Sequence, residues 1–220
     1  MIYTSNYESF KNSDLKTCSI SGNKGKDVGY EGNYYSKLAP KRVFWQVWHD
    51  NIGKISEEEN NKYYIEQYYE LVLSKLDVEE VYRYLNYSIL LCYEDSNIFC
   101  HRHIVAAWFE LLLDVKVPEV KLIEGKIKKV ERPSYIKDTL EEIMKNKIDM
   151  KGFNSLRALY IFEQANKEDS KADIILKSDD LCDKLAQGYR QYASYLRNKA
   201  EKVEQEYNKN NNSKKRIYQK

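Results

Sequence analysis

The sequence predicts an α/β fold: a mostly parallel sheet flanked by helices over residues 1–123, followed by an all-helical extension. Three observations lead to this. Residues 87–94, YSILLCYE, contain the run Ile89, Leu90, Leu91 and Cys92 with no polar face, as in a strand buried on both sides. A turn, EDSN, then opens a helical apolar pattern, and VKVPEVKLIE returns to extended character, giving strand, helix and strand in succession. Beyond residue 124 only helical patterns remain. The first two describe a Rossmann-like sheet, and the third its helical C-terminal extension.

MIYTSNY opens the chain with strand-favouring Ile2, Tyr3 and Thr4, and LKTCSIS, Leu15 to Ser21, predicts a second strand. The stretch that follows holds four of the eight glycines, Gly22, Gly25, Gly29 and Gly32. It lacks the GxxxxGK[ST] order of a P-loop and reads as either a ligand loop or a long connection. VFWQVW, residues 43–48, fits a strand or a buried turn of helix. Ser56 with Glu59 forms a capping-box signature, and Tyr64, Tyr68, Leu71 and Val72 then recur at helical spacing. Asp77 is placed to cap a shorter helix through Leu85.

Asn97 is the expected N-cap of the helix after EDSN. In that helix Ile104, Ala107, Trp108 and Leu111 form one apolar stripe and Val105, Phe109 and Leu112 another, so burial on more than one side is expected. Pro118 implies that the next strand lies at an edge or starts late. The last helix is predicted from Ser178 through about seven turns, with Leu181, Leu185, Tyr189, Tyr192 and Leu196 as its apolar row.

The formal charge of +2 excludes a strong global basic field. Residues 208–220 carry Lys209, Lys214, Lys215, Arg216 and Lys220 with no acid, and subtracting these five leaves −3 for the rest. That basic segment is expected to be a disordered tail after the helical extension of residues 124–207. No apolar run approaches the roughly 20 residues of a membrane span. No signal pattern opens the chain, and the four cysteines, Cys18, Cys92, Cys100 and Cys182, are scattered, so a cytoplasmic location with reduced thiols is expected.

The candidate site is CYEDSNIFCHR, residues 92–102, at the carboxyl end of the expected strand, where open parallel sheets bind ligands. Near a helix N-terminus and beside Arg102, Cys100 is set to favour thiolate over thiol. The same amides with Arg102 are suited to an anion. Against this, a cysteine beside Phe99 can equally be a small buried hydrophobe, and Arg102 can pair with Glu94 or Asp95. His103 reads as a surface or packing residue. A zinc set of Cys92, Cys100, His101 and His103 has the spacing C-x7-C-H-x-H, which matches no common ligand pattern, so no metal is assigned. His49 and Asp50 offer a further acid or base that nothing in the sequence brings to the site.

ILLCYE followed by CHRHIVAAW resembles the signature of the uncharacterised bacterial and archaeal family catalogued as Domain of Unknown Function 488. YTSNY, SIS and YSKLAP are similar to its other blocks. The resemblance spans about residues 1–123, departs from the family in the tyrosine-rich insert near 56–76, and brings no assigned reaction. It implies a shared pocket containing Cys100, His101 and Arg102, with Tyr93 and Glu94 at the strand end and Ser5, Ser19 and Ser21 after the first two strands. The expected function is that of an enzyme acting on a small anionic, nucleotide-like ligand. Arg102 would hold the anion, Cys100 would act as nucleophile or acid/base, and Glu94 or His101 would assist. The alternative is a non-catalytic ligand- or nucleic-acid-binding protein that uses the helical extension and basic tail. These residues do not identify a cofactor.

Overall fold

Six strands form one sheet in the computed structural model, which describes residues 1–178 and 183–217. They are β1 (Tyr3–Asn6), β2 (Thr17–Ser19), β3 (Asn33–Tyr34), β4 (Ile89–Cys92), β5 (Glu119–Ile123) and β6 (Lys126–Val130), in the order β3-β2-β4-β1-β5-β6. Every pairing is parallel except β5 with β6, so the expected mostly parallel α/β sheet is present. β4 lies between β2 and β1 and all four of its residues are buried, as its unbroken apolar run requires. Its register sets Ser19 beside Leu91 and Asn6 beside Cys92, so three strands end close together.

The helices of this unit are α1 (Tyr7–Phe10), α2 (Arg42–Asp50), α3 (Glu57–Leu71), α4 (Val78–Tyr84), α5 (His101–Leu112) and α6 (Tyr135–Lys147). VFWQVW therefore lies in a helix. Ser56 caps α3, accepting from the Glu59 amide at 3.2 Å and donating to its carboxylate at 2.8 Å. Asp77 caps α4 through the Glu80 amide at 3.0 Å. α5 packs against β1 and β4 on one side and α3 and α4 on another, which is why ten of its residues are buried. Asn97 does not cap α5. It is used in the turn closed by the Ile98 amide on the Asp95 carbonyl, and Cys100 takes the N-cap position.

A face of the sheet carries Tyr7, Phe10, Tyr30, Ile89, Leu91 and Val120 as one apolar cluster. By strand alternation Leu90 and Cys92 face the other way. Gly25 adopts φ +73°, and a Cβ there would lie 2.7 Å from two ring carbons of Tyr7, so this turn of the glycine-rich segment is built around that ring. Pro118 ends immediately before β5, the late start the sequence implied, and β5 is flanked by β1 and β6.

The first compact unit extends to Asn146, past the expected boundary at residue 123. The extra strand β6 reads Lys-Ile-Lys-Lys-Val and is largely exposed, a charged edge strand whose composition hides it among polar loops. It joins β5 through Glu124 and Gly125, both at positive φ, as a tight hairpin turn needs.

From Lys147 onward the chain forms a second unit built on α7 (Leu156–Ser178) and α8 (Asp183–Ile217). The two helices run antiparallel, with Arg197 paired to Asp169 and Arg190 to Asp173. Ile161, Ala165, Ala193, Leu196 and Ala200 form the seam. The buried row of α8 is thus Ala186, Ala193, Leu196 and Ala200, whereas Leu185 and Tyr192 of the expected row are exposed. Small residues let the backbones approach closely, so here alanine defines the contact face and tyrosine does not. α8 continues through Ile217, and residues 208–217 are its last turns where the sequence predicted a disordered tail. Leu181, Cys182 and the last three residues of the expected tail, 218–220, lie outside the described residues.

Candidate functional site

Beyond the carboxyl ends of β2 and β4 lies a cavity of about 780 Å³. Cys92, Glu94, Cys100 and His101 line its reactive end. β4 delivers Cys92, the segment after it delivers Glu94, and Cys100 and His101 come from the entrance of α5. His101 is held from behind. Its Nε2 lies 3.0 Å from the Ile20 carbonyl just after β2, a contact that requires Nε2–H to donate. Nδ1 then faces both sulfurs, 3.6 Å from Cys92 Sγ and 3.9 Å from Cys100 Sγ. Glu94 Oε2 lies 3.5 Å from Cys92 Sγ.

The protonation pattern follows from this crowding. Burial, the largest influence, pushes the Cys100 thiol up, but the Cys92 thiol hydrogen bond and the positive Arg102 and His101 outweigh it and bring it well below its usual value. Cys92 goes the other way, raised well above normal by burial and by its hydrogen bond to Cys100. For His101, burial opposes the charged form, but the Cys100 thiolate raises it overall. Burial and the Cys100 charge lift Glu94 to about 7. Negative charge is thus favoured on Cys100 over Cys92 and positive charge on His101, and Glu94, lifted to about 7, shares the same end of the cavity.

The walls are aromatic on one side and polar on the other. Trp45, Trp48, Tyr64 and Phe99 supply the first, with Tyr64 and Phe99 edge to face at 5.3 Å and Trp48 5.8 Å from Phe99. Trp48 Nε1 is fixed by Asn61 Oδ1 at 3.0 Å. Ser21, Asn23, Asp27 and Tyr93 form the polar side, and the Tyr93 hydroxyl bonds Asn23 and Asp27. The Tyr7 hydroxyl ties Ser19 and Ser21 together at 2.5 and 2.7 Å.

Of the residues singled out by sequence, the structure brings Cys100, His101, Glu94, Tyr93 and Ser21 to one cavity. It does not place Arg102, Ser5 or Ser19 there. Arg102 is fully buried, and its Nε and Nη2 bond the Glu119 carboxylate at 3.1 and 2.9 Å, with Nη2 also on the Asp95 carbonyl at 3.1 Å. Ser5 donates to the Val120 carbonyl at 2.6 Å, and Ser19 serves Tyr7. His103 is buried beside Glu119 at 3.3 Å, a packing residue and not a surface one, and it does not line the cavity. His49 and Asp50 are exposed on α2, where His49 stacks on Trp45, and neither lines the cavity.

Sequence reasoning missed Trp48, Tyr64, Phe99, Asn23, Asp27 and Arg42 as lining residues. A signal existed in the aromatic density of residues 44–69, but helical spacing alone does not separate a cavity wall from a core face. Cys92 is expected from its apolar run to be a buried strand residue. It is buried as expected, yet it belongs to the reactive cluster. No family model, curated protein or solved structure matches this chain.

Proposed function

We propose that this chain is an enzyme that uses Cys100 Sγ as a nucleophile toward an electrophilic centre of a small ligand seated in the cavity. The observation that carries the reading is the fixed imidazole: His101 is held through Nε2 with Nδ1 toward Cys100 at the N-cap of a twelve-residue helix. A nucleophile, an adjacent base and a third group that orients the base form the general arrangement for covalent catalysis. Glu94, poised near neutrality, is suited to return a proton to a leaving group.

An anionic part of the ligand would meet the first amides of α5 and Arg42, the cation of the cavity wall, because Arg102 is occupied by Glu119. The aromatic wall suits a flat ring, in keeping with a nucleotide-like ligand. The family resemblance belongs to the same proposal. Its blocks SIS, YSKLAP, ILLCYE and CHRHIVAAW contribute Ser21, Pro40, Cys92, Tyr93, Glu94, Cys100 and His101 to one cavity lining, and YTSNY contributes Tyr7 behind Ser21.

The test is alkylation of the full-length, reduced protein with iodoacetamide at pH 7, followed residue by residue by peptide mass spectrometry. Cys100 should be labelled at least about ten-fold faster than Cys18, since only the thiolate reacts. His101→Ala should slow that labelling several-fold. If Cys100 reacts no faster than Cys18, the nucleophile assignment fails.

A further inference from the structure

The three groups that face each other across the cavity end have the geometry of a metal-binding set. A tetrahedral zinc ion with Zn–S near 2.3 Å and Zn–N near 2.0–2.1 Å separates its sulfur and nitrogen ligands by about 3.6 Å. Nδ1 of His101 lies 3.6 Å from Cys92 Sγ and 3.9 Å from Cys100 Sγ. All three donor atoms fall within 4.8 Å of one another, so closing on an ion requires shifts on the order of an ångström. The donors are soft sulfur and imidazole nitrogen, the combination that selects zinc over the hard, oxygen-bound divalent cations.

The supporting shell fits as well. A histidine ligand ordinarily donates its second ring N–H to a carbonyl or carboxylate, which fixes the tautomer and aims the first nitrogen. His101 Nε2 does this on Ile20 O at 3.0 Å. The three ligands come from two rigid elements, the end of β4 and the entrance of α5. The spacing in sequence is uncommon because the seven-residue segment between the end of β4 and the N-cap of α5, longer than the two- to four-residue link of common zinc motifs, sets Cys92 and Cys100 on one histidine.

We propose that Cys92 Sγ, Cys100 Sγ and His101 Nδ1 bind one Zn²⁺, with the fourth coordination position open to the cavity beside Glu94. This rests on the thiolate–imidazole centre described above and adds its regulation. Zinc binding releases the Cys92 thiol proton, and any proton on His101 Nδ1, to solvent through the cavity and draws electron density from the Cys100 thiolate, so the loaded protein holds an attenuated nucleophile and the metal-free protein a more reactive one.

The experiment uses full-length protein treated with a chelator and reductant, then titrated with Co²⁺ as a spectroscopic substitute. One equivalent should produce an intense near-ultraviolet sulfur-to-cobalt charge-transfer band together with visible bands of tetrahedral strength. Zn²⁺ should displace it. Cys92→Ser and His101→Gln should each weaken binding by more than about ten-fold, the least that loss of even an outer-shell partner typically costs, while Cys18→Ser should not. Because a substitution at buried Cys92 can impair folding, wild-type protein supplies a second measurement. Stoichiometric Zn²⁺ should slow iodoacetamide labelling of Cys92 and Cys100 at least ten-fold and leave Cys18 unchanged.

Absence of a sulfur band in the wild type, or a band that survives both variants, overturns the metal assignment, as does undiminished labelling of Cys100 with zinc present. The two proposals fail separately. Rapid Cys100 labelling without a cobalt band removes the metal and leaves the nucleophile. A cobalt band lost in the variants, with Cys100 inert when metal-free, removes the nucleophile and leaves the metal.

Discussion

Replacing Glu119 with glutamine probes the buried pair that occupies Arg102, the residue whose setting departs furthest from expectation, and also touches His103, 3.3 Å from the same carboxylate. The side chains of Arg102 and Glu119 are 0% and 1% exposed, and two guanidinium donors bond the carboxylate. Removing one partner of such a pair leaves an uncompensated buried charge, which costs about 3–5 kcal/mol. Glutamine keeps one acceptor oxygen at nearly the same position, so Glu119→Gln should fall at the low end, about 3 kcal/mol. At roughly 2–4 °C per kcal/mol for a chain of this size, the midpoint should drop by about 6–12 °C. Arg102→Met should cost a similar amount. The double change Arg102→Met with Glu119→Leu should recover much of the loss, because apolar groups of similar volume can replace a buried pair at little net cost. Urea unfolding followed by tryptophan fluorescence reads the correct unit, since the three tryptophans, Trp45, Trp48 and Trp108, all precede Asn146. A loss below about 0.5 kcal/mol for Glu119→Gln, within the range of ordinary surface changes, would refute the structural role. An Arg102→Met protein of unchanged stability that had lost a ligand would restore Arg102 to the cavity.

Three further outcomes are expected. Burial holds the Cys18 thiol up to about 11, so its labelling rate should climb about ten-fold per pH unit from pH 7 to 10, whereas an ordinary thiol would level off near pH 9; levelling there would contradict the burial effect. Gly25→Ala places a methyl against the Tyr7 ring at a positive φ and should destabilise the first unit by about 2 kcal/mol in the same urea assay, with a change under 0.5 kcal/mol counting against the turn geometry. Tyr7→Phe leaves the Ser19 and Ser21 hydroxyls without their shared partner and should cost about 1–2 kcal/mol, read by the fluorescence midpoint.

Much of the fold was legible because local signals agreed with the global arrangement. The run Ile89 to Cys92 has no polar face and can be satisfied only where both faces of a strand are covered, and β4 is that strand. Ser56 with Glu59 and Asp77 with Glu80 mark helix starts by chemistry that needs nothing distant. β6 was not legible, because an edge strand with lysines on it buries too little to leave a hydrophobic pattern. The end of α8 was not legible either: polar Asn and Lys residues carry no apolar period, yet they continue a helix already propagating from its alanine seam.

The site divides along the same line. The sequence by itself determined that Cys100 and His101 stand together at the entrance of a buried helix, at the carboxyl end of a core strand, because adjacency and strand-to-helix order are properties of the chain. Only the tertiary structure decided that Cys92 and Glu94 join them, that the Ile20 carbonyl turns His101 Nδ1 toward both sulfurs, and that Arg102 is taken by Glu119 from β5. Those contacts join residues separated by 2 to 81 positions, and the longest are made by strand register, which places groups within 4 Å without leaving any spacing in the sequence to reveal them.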